Sequence, residues 1–309
     1  MYWVNPVADL KRMVRAMLTD QVAWLAPSLY VRLTGQTGRG EDEGVVRTAD
    51  YFRTCFQDYF QVPGMPPGQV ETYLDGKHVL EYGPGDLPGV ALLMIAYGAE
   101  SVICVDRFPL CRLSDNSIRV LQNLLDALEG GQRERAEQCF VRRGEPASGF
   151  NQERIHYMVK PSGLSGLADW ADVIISRAVL EHVNDLHATF VDMRDALRAK
   201  GIAVHLVDLK SHGLHRRSKL DFLTWPLSLW ALMYGHKGVP NRWRVDRYRQ
   251  ILTDVGLDTV TLTATGLVEQ QAIDEIRPYL ARPFRQLSDE DLSWLGFWLV
   301  CRRPTEGGG

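Results

Sequence analysis

Two groups of residues in the chain have types and spacings that suit chemistry. The first is a glycine turn, Glu81-Tyr82-Gly83-Pro84-Gly85, between an apolar run and a helix-like segment. Glycines at 83 and 85 permit positive φ and let a ligand approach the backbone, while the helix behind them offers unpaired N–H groups. The next apolar run ends in Asp106, about 23 residues after Gly83, where a carboxylate can accept both hydroxyls of a ribose. Together they suit a nucleoside ligand. The dinucleotide fingerprint G-x-G-x-x-G needs glycine at position 88, but Pro88 stands there and the glycine comes one place later, at Gly89, which disfavours an NAD-dependent oxidoreductase. The second group is His182, after one apolar run, with His205, Asp208, His212 and His215 at or just after the next. An imidazole titrating near neutrality beside carboxylates suits a general base that deprotonates a hydroxyl or amine. With Glu181 the same residues suit a divalent metal. A third reading leaves His205 as a satisfied strand residue and His215 exposed. Strand side chains alternate, so His205 and Asp208 face opposite sides, and we expect His182, Asp208 and His212 to carry the base chemistry.

These residues need a scaffold, and the apolar periodicity supplies one. HVLEY, SVICVD, RIHYMV, DVIIS and GIAVHLVD are short, rich in Val and Ile, and bounded by Gly, Pro or Asp, so they read as buried strands. Between them lie the helix-like VALLMIAYG, SIRVLQNLLDALEGG and LHATFVDMRDALRAKG, the last stopped by Gly201. This alternation predicts βαβ units, an α/β fold with a parallel sheet. A helix (VDRYRQILTDVG), a strand-like DTVTLTAT and a closing strand (LGFWLVCRR) follow.

Glu81-Tyr-Gly-Pro-Gly closely resembles the first motif of class I S-adenosylmethionine (SAM)-dependent methyltransferases, and Asp106 matches their ribose-binding acid. Asp172-Val-Ile-Ile-Ser-Arg-Ala-Val-Leu-Glu-His-Val183 resembles their post-strand-four segment, with the Leu-Glu-His-Val signature of the ubiquinone-biosynthesis (type 11) branch, and Lys200-Gly201 resembles the turn before strand five. The resemblance implies a Rossmann-like, mostly parallel seven-stranded sheet of order 3-2-1-4-5-7-6, with LGFWLVCRR antiparallel. It implies SAM as cofactor, held by Glu81, Gly83, Pro84, Gly85, Asp106, Arg107, Phe108, Ser176 and Glu181, and methyl transfer to an oxygen, ahead of nitrogen, of a small-molecule acceptor. A SAM-binding protein without turnover is the alternative. Relatives in this family use a Glu-x-x-Glu-His metal-ligand set here, but the first glutamate falls at Ala178, so no metal is expected.

The chain of 309 residues carries Lys+Arg 35 against Asp+Glu 38, so no global basic field draws it to nucleic acid. Five cysteines without a CxxC pair predict free thiols and a cytoplasmic, reducing compartment. The longest apolar stretch, 222–235, contains Pro226 and is too short for a membrane span. We expect a helical arm or cover over 1–68, a catalytic domain over 69–304 and a disordered tail over 305–309. An insertion over 211–244, with Trp225, Trp230, Tyr234 and Trp243 among Arg216, Arg217, Lys219, Arg242 and Arg244, is read either as an aromatic, basic-rimmed acceptor wall or as plain core.

Overall fold

The computed structural model describes residues 2, 4–26, 28–30 and 44–304. Strands β1 (His78–Tyr82), β2 (Ser101–Asp106), β3 (Ile155–Val159), β4 (Ala171–Arg177), β5 (Leu197–Asp208), β6 (Asp258–Leu267) and β7 (Trp294–Arg302) form one sheet in the order β3-β2-β1-β4-β5-β7-β6. This is the expected order. The first five strands pair in parallel, and β7 runs antiparallel to both β5 and β6. Strands covered on both faces have no polar side to alternate with, which is why they read as continuous apolar runs. The chain turns from β1 outward to β2 and β3, then returns to β4 on the other side of β1, leaving a crevice at the carboxyl ends of β1 and β4.

The helices are α1 (Pro6–Leu25), α2 (Val45–Gln61), α3 (Val70–Leu74), α4 (Gly89–Ala96), α5 (Asp115–Asp126), α6 (Gly130–Glu137), α7 (Leu186–Ala196), α8 (Leu227–Tyr234), α9 (Val245–Val255), α10 (Gln270–Ile276) and α11 (Asp289–Ser293). On one face of the sheet α2, α4 and α5 supply Phe52, Phe56, Leu92, Leu121 and Leu124 to a single core. All eight residues of α4 are buried, as its unbroken apolar sequence requires. On the other face α7 and α9 supply Phe190, Met193, Tyr248 and Ile251, and α9 stops where Gly256 turns left-handed at φ +72°. A third core joins Phe222, Trp225, Trp230 and Met233 of the insertion to Ile273, Phe284 and Leu292 of the C-terminal part and to Ala16 of α1.

Two boundaries differ from expectation. Helix α7 ends at Ala196, and the chain already pairs as strand from Leu197, opposite Ala171. The pairing with β4 is irregular between Leu197 and Ile202, where Lys200 holds φ +67° and a Cβ at Gly201 would sit 2.8 Å from the Arg198 carbonyl oxygen. The N-terminal segment is also two things: α1 lies against α8, whereas α2 belongs to the core of the sheet. Of the glycine-rich stretch 35–44 only Gly44 is described, and the tail 305–309 lies outside the described residues.

Gly89 shows how α2 is fixed: a Cβ there would come within 2.4 Å of the Phe52 ring. Gly89→Ala should therefore push Phe52 out of its seat and destabilise the protein by about 1–3 kcal/mol, the cost of an overpacked core. Denaturant melts test this, and a variant as stable as the parent would show the α2 packing to be soft.

Candidate active site

At the end of β1 the chain must leave the sheet without filling the crevice. Gly83 does so with φ +65° and donates its N–H to the Val105 carbonyl (2.8 Å). Val179 fills the space beside it, with a methyl carbon 2.4 Å from where a Cβ would stand. Gly85 follows at φ +75°, with no atom near its Cβ position, so this part of the loop has backbone surface to offer. Behind the loop, Glu81 is buried and accepts from the Cys104 thiol (3.6 Å), and burial raises its pKa to about 7. Tyr82 donates from its hydroxyl to Asp192 of α7 (2.5 Å). The same carboxylate accepts from the Ser165 and Gly166 N–H groups (2.6 and 2.7 Å), so it ties β1 to the loop after β3.

A cavity of about 610 Å³ opens in the crevice. Gly83, Gly85, Asp106, Arg107, Phe108 and Gly163 line it, together with Ala178, Val179, His182 and His212. Asp106, at the tip of β2, is largely buried. Burial raises its pKa to about 6, partly offset by neighbouring backbone N–H groups, among them that of Phe108 at 3.0 Å. The Arg107 guanidinium sits 5.5 Å over the Phe108 ring and donates to the His182 carbonyl (3.4 Å) and Asn184 Oδ1 (3.3 Å), so it bridges the mouth. Of the segment after β3, Gly163 reaches the wall, whereas Lys160 turns back to the Ser165 carbonyl.

The histidines separate into two environments. His182 and His212 meet edge-to-face with ring centroids 4.8 Å apart. Glu181 Oε1 lies 3.8 Å from His182 Nε2 and 4.0 Å from His212 Nε2, and Asp208 Oδ2 lies 3.9 Å from that same His212 nitrogen. One ligand atom from each of Glu181, His182 and His212 falls within 4.8 Å of the others. Among the described residues no side chain donates to either carboxylate oxygen of Glu181, and burial, reinforced by Asp208 and partly offset by the backbone N–H groups of Glu181 and Asp208, raises its pKa to about 8. Burial and the neighbouring His212 lower His182 to about 4, so it is a neutral imidazole near pH 7. His212 holds φ +48°, a backbone state that L-residues adopt rarely and that recurs at functional sites. His205 is elsewhere: it is fully buried in β5 and bonds Ser176 Oγ through Nδ1 at 2.7 Å.

A family model described as a methyltransferase domain matches residues 69–262. The chain belongs to that family. It is a class I SAM-dependent methyltransferase, and its cofactor is S-adenosyl-L-methionine. Solved structures similar to it include a SAM-dependent methyltransferase from Mesorhizobium loti (17% identity, TM-score 0.43, covering 74% of this chain and 92% of that one). Another is a SAM-dependent methyltransferase from Methanosarcina mazei (13% identity, TM-score 0.44, covering 78% and 99%). No curated protein matches the chain.

Several expected site residues of the methyltransferase stand off the cavity wall. Ser176 is sealed in the sheet by its bond to His205, because alternation along β4 aims it into the core. Glu81, Pro84, Glu181 and Asp208 do not line the cavity either, and the last two approach it through His212. Among the described residues no aromatic wall lines the cavity: Trp225 and Trp230 are buried in the third core with Arg216 and Arg242 over their rings, and Arg244 is buried against the Leu209, Leu292 and Trp294 carbonyls. The insertion reaches the cavity instead through His212, Leu214 and the stretch 237–240. Asn241, which no motif marks, donates from Nδ2 to the carbonyls of Leu180 (2.9 Å) and Val183 (3.2 Å) and from its backbone to that of Glu181 (2.6 Å), so it clamps the turn that carries Glu181 and His182. Among the described residues no helix is long and apolar enough to cross a membrane.

The raised pKa of Glu181 has a direct consequence for stability. Its folded value, about 8, lies above the ordinary 4.5, so the stabilisation it gives when protonated is fully present below about pH 4.5 and is lost as pH rises through 8. Glu181→Gln keeps the shape and removes the charge. Variant and parent should melt together at pH 4.5, whereas at pH 8.5 the variant should melt higher by about 2 °C or more. A variant that melts lower at pH 8.5 would show that ionised Glu181 has a stabilising partner.

Proposed function

We propose that the enzyme methylates an oxygen, ahead of nitrogen, of a small-molecule acceptor, with His212 as general base. The observation that carries this reading is the pair of imidazoles that line the same cavity as the glycine loop, with the carboxyl groups of Glu181 and Asp208 about 4 Å from His212 Nε2. The residues fit the cofactor. Gly85 leaves room for its amino-acid half beside Gly83, the Asp106 carboxylate faces the cavity where ribose hydroxyls can donate to it, and Arg107 and Phe108 offer flat surfaces to the adenine. When bound, it supplies a methyl group made electrophilic by the attached sulfonium. The protein then has little more to do than orient the acceptor and take its proton. His212 Nε2 takes that proton, and the Asp208 carboxylate, 3.9 Å away, stabilises the resulting imidazolium. Asp208 acts through His212 and not on the acceptor. His182, held neutral by burial, shapes the wall beside it.

The cover over the acceptor is α1 together with 211–244, on a catalytic domain of 69–304. Asp20 of α1 accepts from His236 at 2.8 Å and Arg12 donates to the Leu214 carbonyl at 2.9 Å, so the arm holds the segments that line the cavity. A second reading rests on the unsatisfied Glu181 oxygens: Glu181, His182 and His212 are a carboxylate and two imidazoles close enough to hold one divalent cation, which would lower the acceptor's pKa.

Two measurements test the assignment. Asp106→Ala should weaken SAM binding at least about tenfold, since each charge-assisted bond lost is worth roughly 1.5–3 kcal/mol. In the parent, affinity should hold above pH 6 and fall as pH drops below it, because only the ionised form accepts from both hydroxyls. Calorimetry in which neither change appears removes Asp106 from the cofactor site. In assays of S-adenosylhomocysteine release with phenols and other hydroxylated acceptors, His212→Ala should lower kcat by about 10² to 10⁴ with SAM affinity nearly unchanged. Activity abolished by EDTA and restored by a divalent cation selects the metal reading, and full activity in His212→Ala rejects both.

A further inference from the structure

Helix α1 presents its apolar side to solvent. Val7, Leu10, Val14, Leu18, Val22 and Leu25 recur at intervals of three and four, the spacing of one helical face. All are exposed: Leu10 by 56%, Leu18 by 65% and Leu25 by 74%. The opposite side is buried and carries the ions. Asp9 and Asp20 are 3% and 1% exposed, Asp9 accepts from Arg216 (3.3 Å), and Asp20 accepts from the His236 ring (2.8 Å) and backbone (2.9 Å). Lys237 adds hydrogen bonds from Nζ to the Ala16 carbonyl (2.6 Å) and Thr19 Oγ1 (2.8 Å). These specific contacts fix the rotation of the helix, so its apolar face points outward by construction. A continuous apolar stripe of this length on a free surface marks an interaction site.

Charge identifies what covers it. Both acids of α1 are turned inward, and the exposed charges along the apolar face are Lys11 and Arg15. Trp24, 59% exposed, stands at its carboxyl-terminal end. Leucines and a tryptophan edged by cations and free of exposed acids are the pattern of a helix lying in a lipid interface. A second copy of the same face would bring only cations to meet those cations. The chain's own residues 31–43 and 305–309 hold Val31 and Leu33 as their large aliphatic side chains, too few to cover six. We propose that α1 docks the protein on an anionic lipid surface, with the six aliphatic side chains immersed and Lys11 and Arg15 at the phosphate level. Leu232 of α8, the helix on which α1 packs, is exposed as well. This inference is independent of the acceptor's identity.

The full-length protein should co-sediment with phosphatidylcholine vesicles that contain about a third phosphatidylglycerol, and do so less well at high salt or with phosphatidylcholine alone. Leu10→Glu with Leu18→Glu should lower the partition coefficient at least about tenfold. Lys11→Glu with Arg15→Glu should lower it about 25-fold on anionic vesicles, from roughly fivefold per cation. All four residues are at the surface, so both double variants should keep the parent's melting temperature and SAM affinity. Absence of vesicle binding by the parent, or binding that survives Leu10→Glu with Leu18→Glu, overturns the proposal. So does a dimer in sedimentation equilibrium that this variant dissociates while vesicles bind neither protein, since a second copy is then the occupant.

Discussion

At the carboxyl end of β1, Gly83 adopts φ +65° while a Val179 methyl occupies the place of its missing side chain, so the ends of β1 and β4 are fitted to one another at the crevice. Much of the site follows from that contact. Val179 begins the turn that carries Glu181 and His182, and Asn241 holds the far side of the same turn through three hydrogen bonds. Asn241 lies at the end of the insertion, and α1 is bonded to the insertion through His236 and Lys237. The first glycine of the loop, the histidines and the cover therefore form one mechanical path. A residue larger than glycine at 83 would displace Val179 and carry the histidine turn with it.

The second organising feature is electrostatic. Glu81, Asp106 and Glu181 are buried around the crevice, and burial is the largest cause of the upward pKa shift in each, to about 7, 6 and 8. Desolvation of this kind is costly unless a cation or a set of donors arrives to offset it. A ligand with a sulfonium, an ammonium and two ribose hydroxyls brings all of these. Of the three, Asp106 lines the cavity, so hydroxyl donors that reach it there make it easier to ionise.

The sheet was legible because its signals are local. Short Val- and Ile-rich runs, the glycine turn and Asp106 each announce themselves within a few residues, and their order along the chain matches a known topology. The closeness of His182 and His212 also follows, since both come just after neighbouring strands. The position of Ser176 does not show in the sequence, because its motif spans a strand end, where a shift of one position exchanges cavity for core. Asp192 and Asn241 carry no local signal at all: each matters through hydrogen bonds to segments 26 or more residues away. The outward face of α1 is illegible for a related reason. Its periodicity shows an apolar stripe, and only the partners of Asp9 and Asp20 show which way the stripe points.

The insertion shows how composition misleads where backbone regularity is low. Basic residues among tryptophans resemble a binding rim, yet Arg242 and Arg244 are buried and donate to carbonyl oxygens within the protein, Arg242 through Nη1 alone. Arg242 donates to those of Phe222 (3.1 Å) and Trp225 (2.6 Å), and Arg244 to that of Leu209 (2.9 Å) and to two beside α11. Arg216 joins the Asp9 and Asp221 carboxylates and lies 4.6 Å over the Trp225 ring. A segment built of short turns leaves carbonyl groups without ladder partners, and a buried carbonyl without a donor is expensive. A guanidinium, with five donors in a fixed plane, can satisfy several at once and still stack on an aromatic face. Arginines and tryptophans therefore concentrate here for the same reason that regular structure is scarce, and the acceptor side of the cavity is left to His212, Leu214 and the short stretch 237–240.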